Sequence, residues 1–296
     1  MRPQRTAARR RALRIYTSLV QRIFPLLLLL AWAIPAWGQP AAGGGDLAPA
    51  DALALVDHAL ANELRAAQDS GHPMRYRLHK TSPNLTSTKE IYETRDGEVA
   101  QLTEIGDNPL SGGDEQKEQD RLNALLADPG KQRHRKMAED ADADRALKVL
   151  RALPGAFVYQ YAGTGDASGG KVEKFTFRPN SSFSPPDLET EILTQMAGEI
   201  WIDAAHERVV KLEGHLQQDV DFGWGILGRL NKGGWIAIEQ AEIGGGVWRI
   251  VHFQMVLSGR VFFKTRAFDT TEEESHYEPL PVGLSYQKAI EMLRAE

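Results

Sequence analysis

Cysteine is absent from the 296 residues of this chain. Without a thiol, the protein forms no disulfide and offers no thiolate to a metal ion or to a nucleophilic mechanism. The absence also excludes a lipid-modified N-terminal cysteine, so we do not expect a lipoprotein. The sequence likewise lacks the G-x-S-x-G and H-E-x-x-H patterns of hydrolases. We therefore predict no catalytic residue, no metal ligand and no cofactor.

Acidic residues are missing from the first 38 positions, where seven arginines accompany an apolar run over residues 23–36. The run is shorter than the roughly 20 residues that span a bilayer, and Ala36-Trp37-Gly38 suits cleavage before Gln39. We predict that residues 1–38 are a signal peptide, followed by a flexible leader over 39–49. The protein is then periplasmic, exported by the Sec route in preference to Tat, with a retained N-terminal anchor as the alternative.

Positive charge is scarce once residues 1–38 are removed, because 28 Lys and Arg then face 40 Asp and Glu. A field that acidic argues against nucleic acid as a partner. The one basic cluster, at residues 131–136, is predicted to be a solvated helix face, and a site beside a lipid headgroup is the alternative. No stable membrane span is expected after signal cleavage.

Long connections between the predicted strands are also scarce. Period-two alternation with Gly, Asn and Pro turns fills residues 157–268, and Asp96-Gly97 marks a further hairpin. Such short connections require antiparallel neighbours. Helices are predicted over 52–67, 115–127, 131–153 and 285–294, and the middle two form an insertion at about 114–153. We predict a single α+β domain over 50–296, a strongly curved antiparallel sheet forming an unclosed β-barrel with helices packed on or in it.

Two glycine-rich stretches resemble nucleotide motifs without the structure those motifs need. Gly223–Gly228 reads G-x-G-x-x-G, but a new strand begins at Trp235 and leaves no room for a crossover helix. Gly165–Lys171 approximates a phosphate loop, but Val172 follows where a hydroxyl is needed. We predict a bend in the sheet and a hairpin loop, respectively.

The stretch Gly198–Asp203, a short turn and Arg208–Leu212 resembles the central hairpin of the bacterial outer-membrane lipoprotein-sorting and carrier proteins (LolA/LolB-like) and their uncharacterised exported relatives. The resemblance covers about residues 150–280. It implies an unclosed barrel folded around helices, with an apolar hollow that shelters acyl chains in the carriers. No single residue of this chain matches a carrier's working position.

We therefore expect a periplasmic, non-enzymatic binding or carrier protein for a lipid, a lipoprotein acyl chain or another apolar ligand. The predicted ligand-binding residues are the apolar side chains expected on the inner face of the sheet: Ile200, Ile202, Val210, Leu212, Leu216, Phe222, Ile236 and Ile238. A fully packed sheet with no hollow is the structural alternative. The functional alternatives are an envelope sensor or adaptor that binds another protein through residues 114–153, and a periplasmic hydrolase.

Overall fold

The computed structural model describes residues 48–167, 169–222, 228–261 and 264–295. They form five α-helices and thirteen strands. The helices are α1 (Pro49–Ala66), α2 (Gly112–Ala127), α3 (Pro129–Ala156), α4 (Leu188–Glu191) and α5 (Tyr286–Leu293). The strands are β1 (Met74–Ser82), β2 (Leu85–Tyr92), β3 (Val99–Ile105), β4 (Asn108–Pro109), β5 (Phe157–Ala167), β6 (Gly170–Pro179), β7 (Met196–Asp203), β8 (Arg208–Leu216), β9 (Val220–Phe222), β10 (Gly228–Leu230), β11 (Trp235–Glu242), β12 (Trp248–Val261) and β13 (Lys264–Pro279).

All thirteen strands belong to one antiparallel sheet, in the order β4-β3-β2-β1-β13-β12-β11-β8-β7-β6-β5, with β10 paired to β12 and β9 paired to β10. The first and last strands of this order are not hydrogen-bonded to each other, so the sheet is open and curved. The predicted α+β class and antiparallel sheet are confirmed. The hairpin at Asp96-Gly97 is confirmed as well, with Tyr92 opposite Val99.

A β-bulge interrupts the β7–β8 hairpin just before its turn. Ile200 lies opposite Leu212, but Ile202 lies opposite Val209, so an extra residue sits on β8 between these pairs. A bulge of this kind reverses the faces of the side chains that follow it. Val209 therefore joins the main core beside Ile202, and Val210 packs on the opposite face with Val172 and Trp248. The prediction that Val210 shares the face of Ile200 is wrong for this reason.

The inner face of β5 to β8 is covered by α1 and by the C-terminal turns of α3. The apolar stripe of α1 consists of Ala52, Leu55, Val56, Ala59 and Leu60, all buried. Leu53 has helical spacing from Val56 and Leu60 but lies outside the stripe, with 48% of its surface exposed. The helix begins at Pro49, earlier than the predicted residue 52, and has no side-chain cap; Asp51 lies in its first turn.

The helices predicted over 115–127 and 131–153 are confirmed as α2 and α3, which are separated at Asp128 alone. That they form an insertion stays a prediction. Side chains of α2 bind the outer edge of β3. Glu118 accepts from the Leu102 amide at 2.9 Å, and Arg121 donates to the Ala100 carbonyl. Edge strands invite unwanted pairing when their backbone groups are left open. Helix α2 therefore covers part of this edge of the sheet.

The remaining predictions concern the last helix, the two glycine-rich stretches and the N-terminal residues. Ser285 caps α5, since its hydroxyl accepts from the Lys288 amide. The Gly165–Lys171 stretch is the hairpin between β5 and β6, as predicted. Residues 223–227 of the second glycine motif lie outside the described residues, but Gly228 opens strand β10, where a nucleotide site would need a helix. Residues 1–38 and 39–47 also lie outside the described part.

Candidate functional site

Most of the predicted ligand-binding residues belong to an apolar layer between α1 and the inner face of the sheet. Four of them are fully buried there: Ile200, Ile202, Leu216 and Phe222. Three others, Leu212, Ile236 and Ile238, are partly buried and pack against the same layer. Val210 is the exception, since it lies on the outer face. The layer is filled by the stripe of α1, so its apolar surface faces protein.

One polar group fastens α1 to the sheet. Glu63 lies on the stripe of α1 with 9% of its surface exposed, and it accepts two hydrogen bonds from Arg208, at 2.8 and 2.9 Å. The same carboxylate accepts from the backbone amide of Val209 at 3.0 Å and from the side-chain amide of Gln240 at 3.1 Å. A bidentate guanidinium with two further donors satisfies a buried carboxylate, which would otherwise be costly. Because the bulge turns the Val209 backbone amide toward α1, this amide can donate its hydrogen bond to Glu63.

Two weaker contacts accompany this anchor at the β7–β8 turn. Asn62 donates to the Glu207 carbonyl at 2.9 Å, and the His58 ring lies 3.0 Å from the Glu207 carboxylate. The His58 pair is exposed, so it adds little to stability. Sequence reasoning missed this anchor, although a signal was present: Glu63 falls at helical spacing from Ala59 and Leu60, where another apolar residue would be expected.

A pocket of about 250 Å³ opens on the outer face, beside the same turn. Its walls include Val172, Val210 and Trp248, with Asp203, His206 and Glu242 at its polar side. These polar groups already bond within the protein. Asp203 accepts from the His206 ring at 3.0 Å, which raises the pKa of His206, and Glu242 accepts from the Gly246 amide at 2.8 Å. The pocket's charges therefore hold the turns that surround it.

A second polar cluster lies between β1, β3 and β13. The rings of Tyr76 and Tyr277 are stacked with centroids 5.2 Å apart, and their hydroxyls bond Glu98 and Glu274 respectively. Burial raises the pKa of each of these two carboxyl groups to about 7. Repulsion from Glu139 adds to the effect at Glu98, whereas the hydrogen bond from Tyr277 opposes it at Glu274. Perturbed acids of this kind occur in catalytic sites and in structural clusters alike.

The histidines remain separate from one another. His215 lies opposite Trp235 and bonds Glu213, whereas His252 lies opposite Glu239 and Glu273, so the two do not meet across strands. Within the described ranges, no group of three or more His, Asp and Glu residues could hold a metal ion. None of the helices in these ranges is long and apolar enough to cross a membrane.

Comparisons with known proteins return two similar solved structures. No protein-family model and no curated protein matches the sequence. The first structure is a "putative outer membrane lipoprotein-sorting protein domain" from Vibrio parahaemolyticus, with a TM-score of 0.32, 11% identity, and coverage of 80% of this chain and 97% of that one. The second is a DUF1329 family protein from Desulfovibrio piger, with a TM-score of 0.31, 11% identity, and coverage of 78% and 94%. The first description names the group that the hairpin resembles, but likenesses this distant carry no argument about function.

Proposed function

We propose that the protein is an exported envelope binding protein of the carrier type, and that its ligand is a lipid, a lipoprotein acyl chain or another apolar molecule. The ligand occupies the layer between α1 and the inner face of β5 to β8, where it takes the place of the stripe of α1. The observation that carries this proposal is the composition of that layer: apolar side chains of two separate elements meet there, and Glu63 is the one buried charge of α1. The N-terminal 38 residues, read as a signal peptide, support a periplasmic location.

Whether the exchange is feasible depends on two free energies: that of burying the stripe of α1 and that of burying an acyl chain in its place. Leu55, Val56 and Leu60 are the largest apolar side chains of the stripe. Burying each stabilises the packed form by about 1.5–3 kcal/mol. An acyl chain of about 14 methylenes gains roughly 11 kcal/mol on leaving water, at about 0.8 kcal/mol for each one. An acyl chain therefore offsets the loss of the three side chains and leaves a margin for moving the helix.

The test is to fix α1 in place and measure binding. Because the chain has no cysteine, His58→Cys with Glu207→Cys supplies two thiols that react with a short bis-maleimide without side reactions. The side chains of this pair touch in the structure and are exposed, so their replacement leaves the Glu63 anchor intact. The probe is cis-parinaric acid, added to delipidated protein purified from the periplasm. We expect binding before cross-linking and at least about tenfold weaker binding afterwards, equivalent to about 1.4 kcal/mol.

The matched control is His58→Cys alone, treated with the same reagent. It carries a modified thiol on α1 without a link to β8, so it should bind like the untreated protein. If the protein does not bind the probe at all, the proposal is wrong. Equal affinity before and after cross-linking would place the probe elsewhere, and would also contradict a site beneath α1.

A further inference from the structure

The hydrogen-bond donors that hold the Glu63 carboxylate all lie on the sheet. Arg208 and Val209 belong to β8 and Gln240 to β11, whereas the carboxylate is the part of this contact that α1 supplies. If α1 moves away, the acceptor leaves and the donors stay. In the proposed function the ligand takes the place of the stripe of α1, so the ligand meets these donors as well.

Each donor is also held by a contact that does not involve Glu63. The guanidinium carbon of Arg208 lies 5.5 Å from the centroid of the Trp248 ring on β12. The side-chain amide of Gln240 donates to the Val209 carbonyl at 3.1 Å, and the Val209 amide belongs to the strand backbone beside the bulge. The donors therefore remain arranged when the carboxylate leaves, and such a preorganised site loses less freedom when it binds a new acceptor.

The arrangement of the donors suits one class of polar group. Arg208 donates to both oxygens of Glu63, Val209 adds a second donor to one oxygen, and Gln240 adds a second donor to the other. A planar guanidinium pairs with a carboxylate in this bidentate way. All four bonds go to two oxygens, so a phosphate would leave its further oxygens without a donor from this set. An ester has no charge and would leave the buried cation unpaired, which is costly.

The donors lie at one end of the apolar layer. On α1, Glu63 is one turn beyond the buried Ala59 and Leu60, so its carboxylate adjoins the stripe. On β8, Val209 donates through its backbone and packs its side chain into the main core. The stripe extends from Ala52 to Glu63 over about 16 Å, at about 1.5 Å for each residue. An apolar chain with a carboxylate at one end therefore matches both the layer and the donors.

We propose that the ligand carries a free carboxylate, which replaces the Glu63 carboxylate on Arg208, Val209 and Gln240 while its apolar chain replaces the stripe of α1. The choice of ligand rests on the proposed function, since the donors become available only when α1 moves. It narrows the ligand to a fatty acid or another apolar carboxylic acid. An acyl chain that is linked through an ester or an amide lacks the charged group and binds more weakly.

The test compares cis-parinaric acid with its methyl ester, which has the same chain and no charge. Fluorescence measures the binding of each to delipidated protein, at a pH above the pKa of the acid. We expect the acid to bind at least about tenfold more tightly, because hydrogen bonds to a charged group are stronger than neutral ones. The ratio of the two affinities is the quantity to compare, since the cost of moving α1 is common to both ligands.

Two variants decide whether Arg208 is the group that recognises the carboxylate. Glu63→Gln removes the competing carboxylate and keeps the guanidinium, so the preference for the acid should remain. Glu63→Gln combined with Arg208→Met removes the guanidinium without leaving a buried carboxylate unpaired, so the preference should fall by about tenfold. The matched control is Lys211→Met, which removes a positive charge from the outer face of the same strand and should leave the ratio unchanged. Circular dichroism and thermal melting verify that each variant is folded.

The outcomes distinguish a wrong ligand class from a wrong function. If neither the acid nor the ester binds, the proposed function is wrong, and the carboxylate ligand with it. If the two bind equally, the layer does bind an apolar chain but the carboxylate is not recognised, so only the ligand class is wrong. A preference that survives the loss of Arg208 would place the recognition of the carboxylate elsewhere. A preference that Lys211→Met abolishes equally would assign it to net charge, and either result overturns the proposal.

Discussion

The two ends of the sheet are finished in different ways. At the β3 end, helix side chains bind the edge strand and the turn before it: Glu118 accepts from the Leu102 amide at 2.9 Å, Gln132 donates to the Asp96 carbonyl at 2.9 Å, and Glu139 accepts from the Glu98 amide at 3.0 Å. At the β5 end, the described helices cover the inner face with apolar side chains and leave the edge without a strand partner. One end is closed by polar bonds at its edge, and the other by apolar packing on its face.

This difference separates two ways in which helices stabilise a sheet. Packing on a face removes apolar area from water and is insensitive to the positions of single atoms. Bonding at an edge satisfies individual N–H and C=O groups, so each bond depends on one side chain. The helices around the β3 end are therefore held by hydrogen bonds of specific residues. Those around the β5 end are held by the burial of apolar surface. Substitutions should have correspondingly different effects at the two ends.

The largest effect is expected at the β5 end, from Ile202→Asp. The side chain of Ile202 is completely buried between Val209 and the α1 layer. An aspartate there has no partner for its charge, so we expect a loss of several kcal/mol, a large fraction of a typical 5–15 kcal/mol stability. Urea unfolding followed by tryptophan fluorescence measures the loss, unless the variant fails to accumulate.

The control for this variant is Lys211→Asp on the neighbouring strand. Lys211 lies on the outer face, where it pairs with Glu213 at 2.8 Å and stands 5.0 Å from the Trp201 ring centroid. Losing these partly exposed contacts should cost about 1 kcal/mol. Equal losses in the two variants would mean that the inner and outer faces of the hairpin are equally covered.

An intermediate effect is expected at the β3 end, from Glu118→Ala. Glu118 is 3% exposed and accepts from both the Leu102 amide and Arg121. Its removal leaves a buried edge amide without this acceptor and breaks a buried ion pair, so we expect a loss of about 3 kcal/mol. The control is Gln116→Ala on the exposed side of the same helix, which should change stability by less than about 0.5 kcal/mol. A loss below 1 kcal/mol for Glu118→Ala, by urea unfolding, would show that edge bonding is not what holds α2.

The sequence predicted the face packing better than the edge bonding, and the reason is physical. Alternation and helical spacing report which side chains avoid water, so most inward side chains of β7, β8 and β11 could be predicted. They do not report which N–H groups lack a partner. Glu118, Gln132 and Glu139 look like ordinary residues of a solvated helix, because their partners are backbone atoms of a distant strand and of the turn before it.

The error at Val210 has the same origin. Strand alternation assumes that each residue has one partner, and a bulge breaks that assumption without leaving a mark in the hydrophobic pattern. Val209 and Val210 are identical in kind, so their order cannot show which one faces inward. What distinguishes them is the hydrogen bond from the Val209 amide to Glu63, a contact across 146 residues of chain.

The smallest effect is a change of stability with pH, and it is expected at the β3 end of the sheet. The pKa of Glu98 is raised by burial from 4.5 to about 7, so the folded protein binds more protons than the unfolded chain between these values. Stability from this group is complete below about pH 4.5 and is lost as the pH rises through about 7. In Glu98→Gln the acceptor for Tyr76 remains but the titration is gone, so the variant should lose less stability between pH 5 and pH 8 than the unaltered protein does.

The difference should be of the order of 2 kcal/mol, since each pKa unit corresponds to about 1.4 kcal/mol and Glu98 is partly exposed. Thermal melts at the two pH values measure it, and histidine titrations elsewhere cancel because both proteins share them. If the stability of the two proteins changes with pH in the same way, Glu98 is ionised throughout this range in the folded protein, and its pKa is not raised.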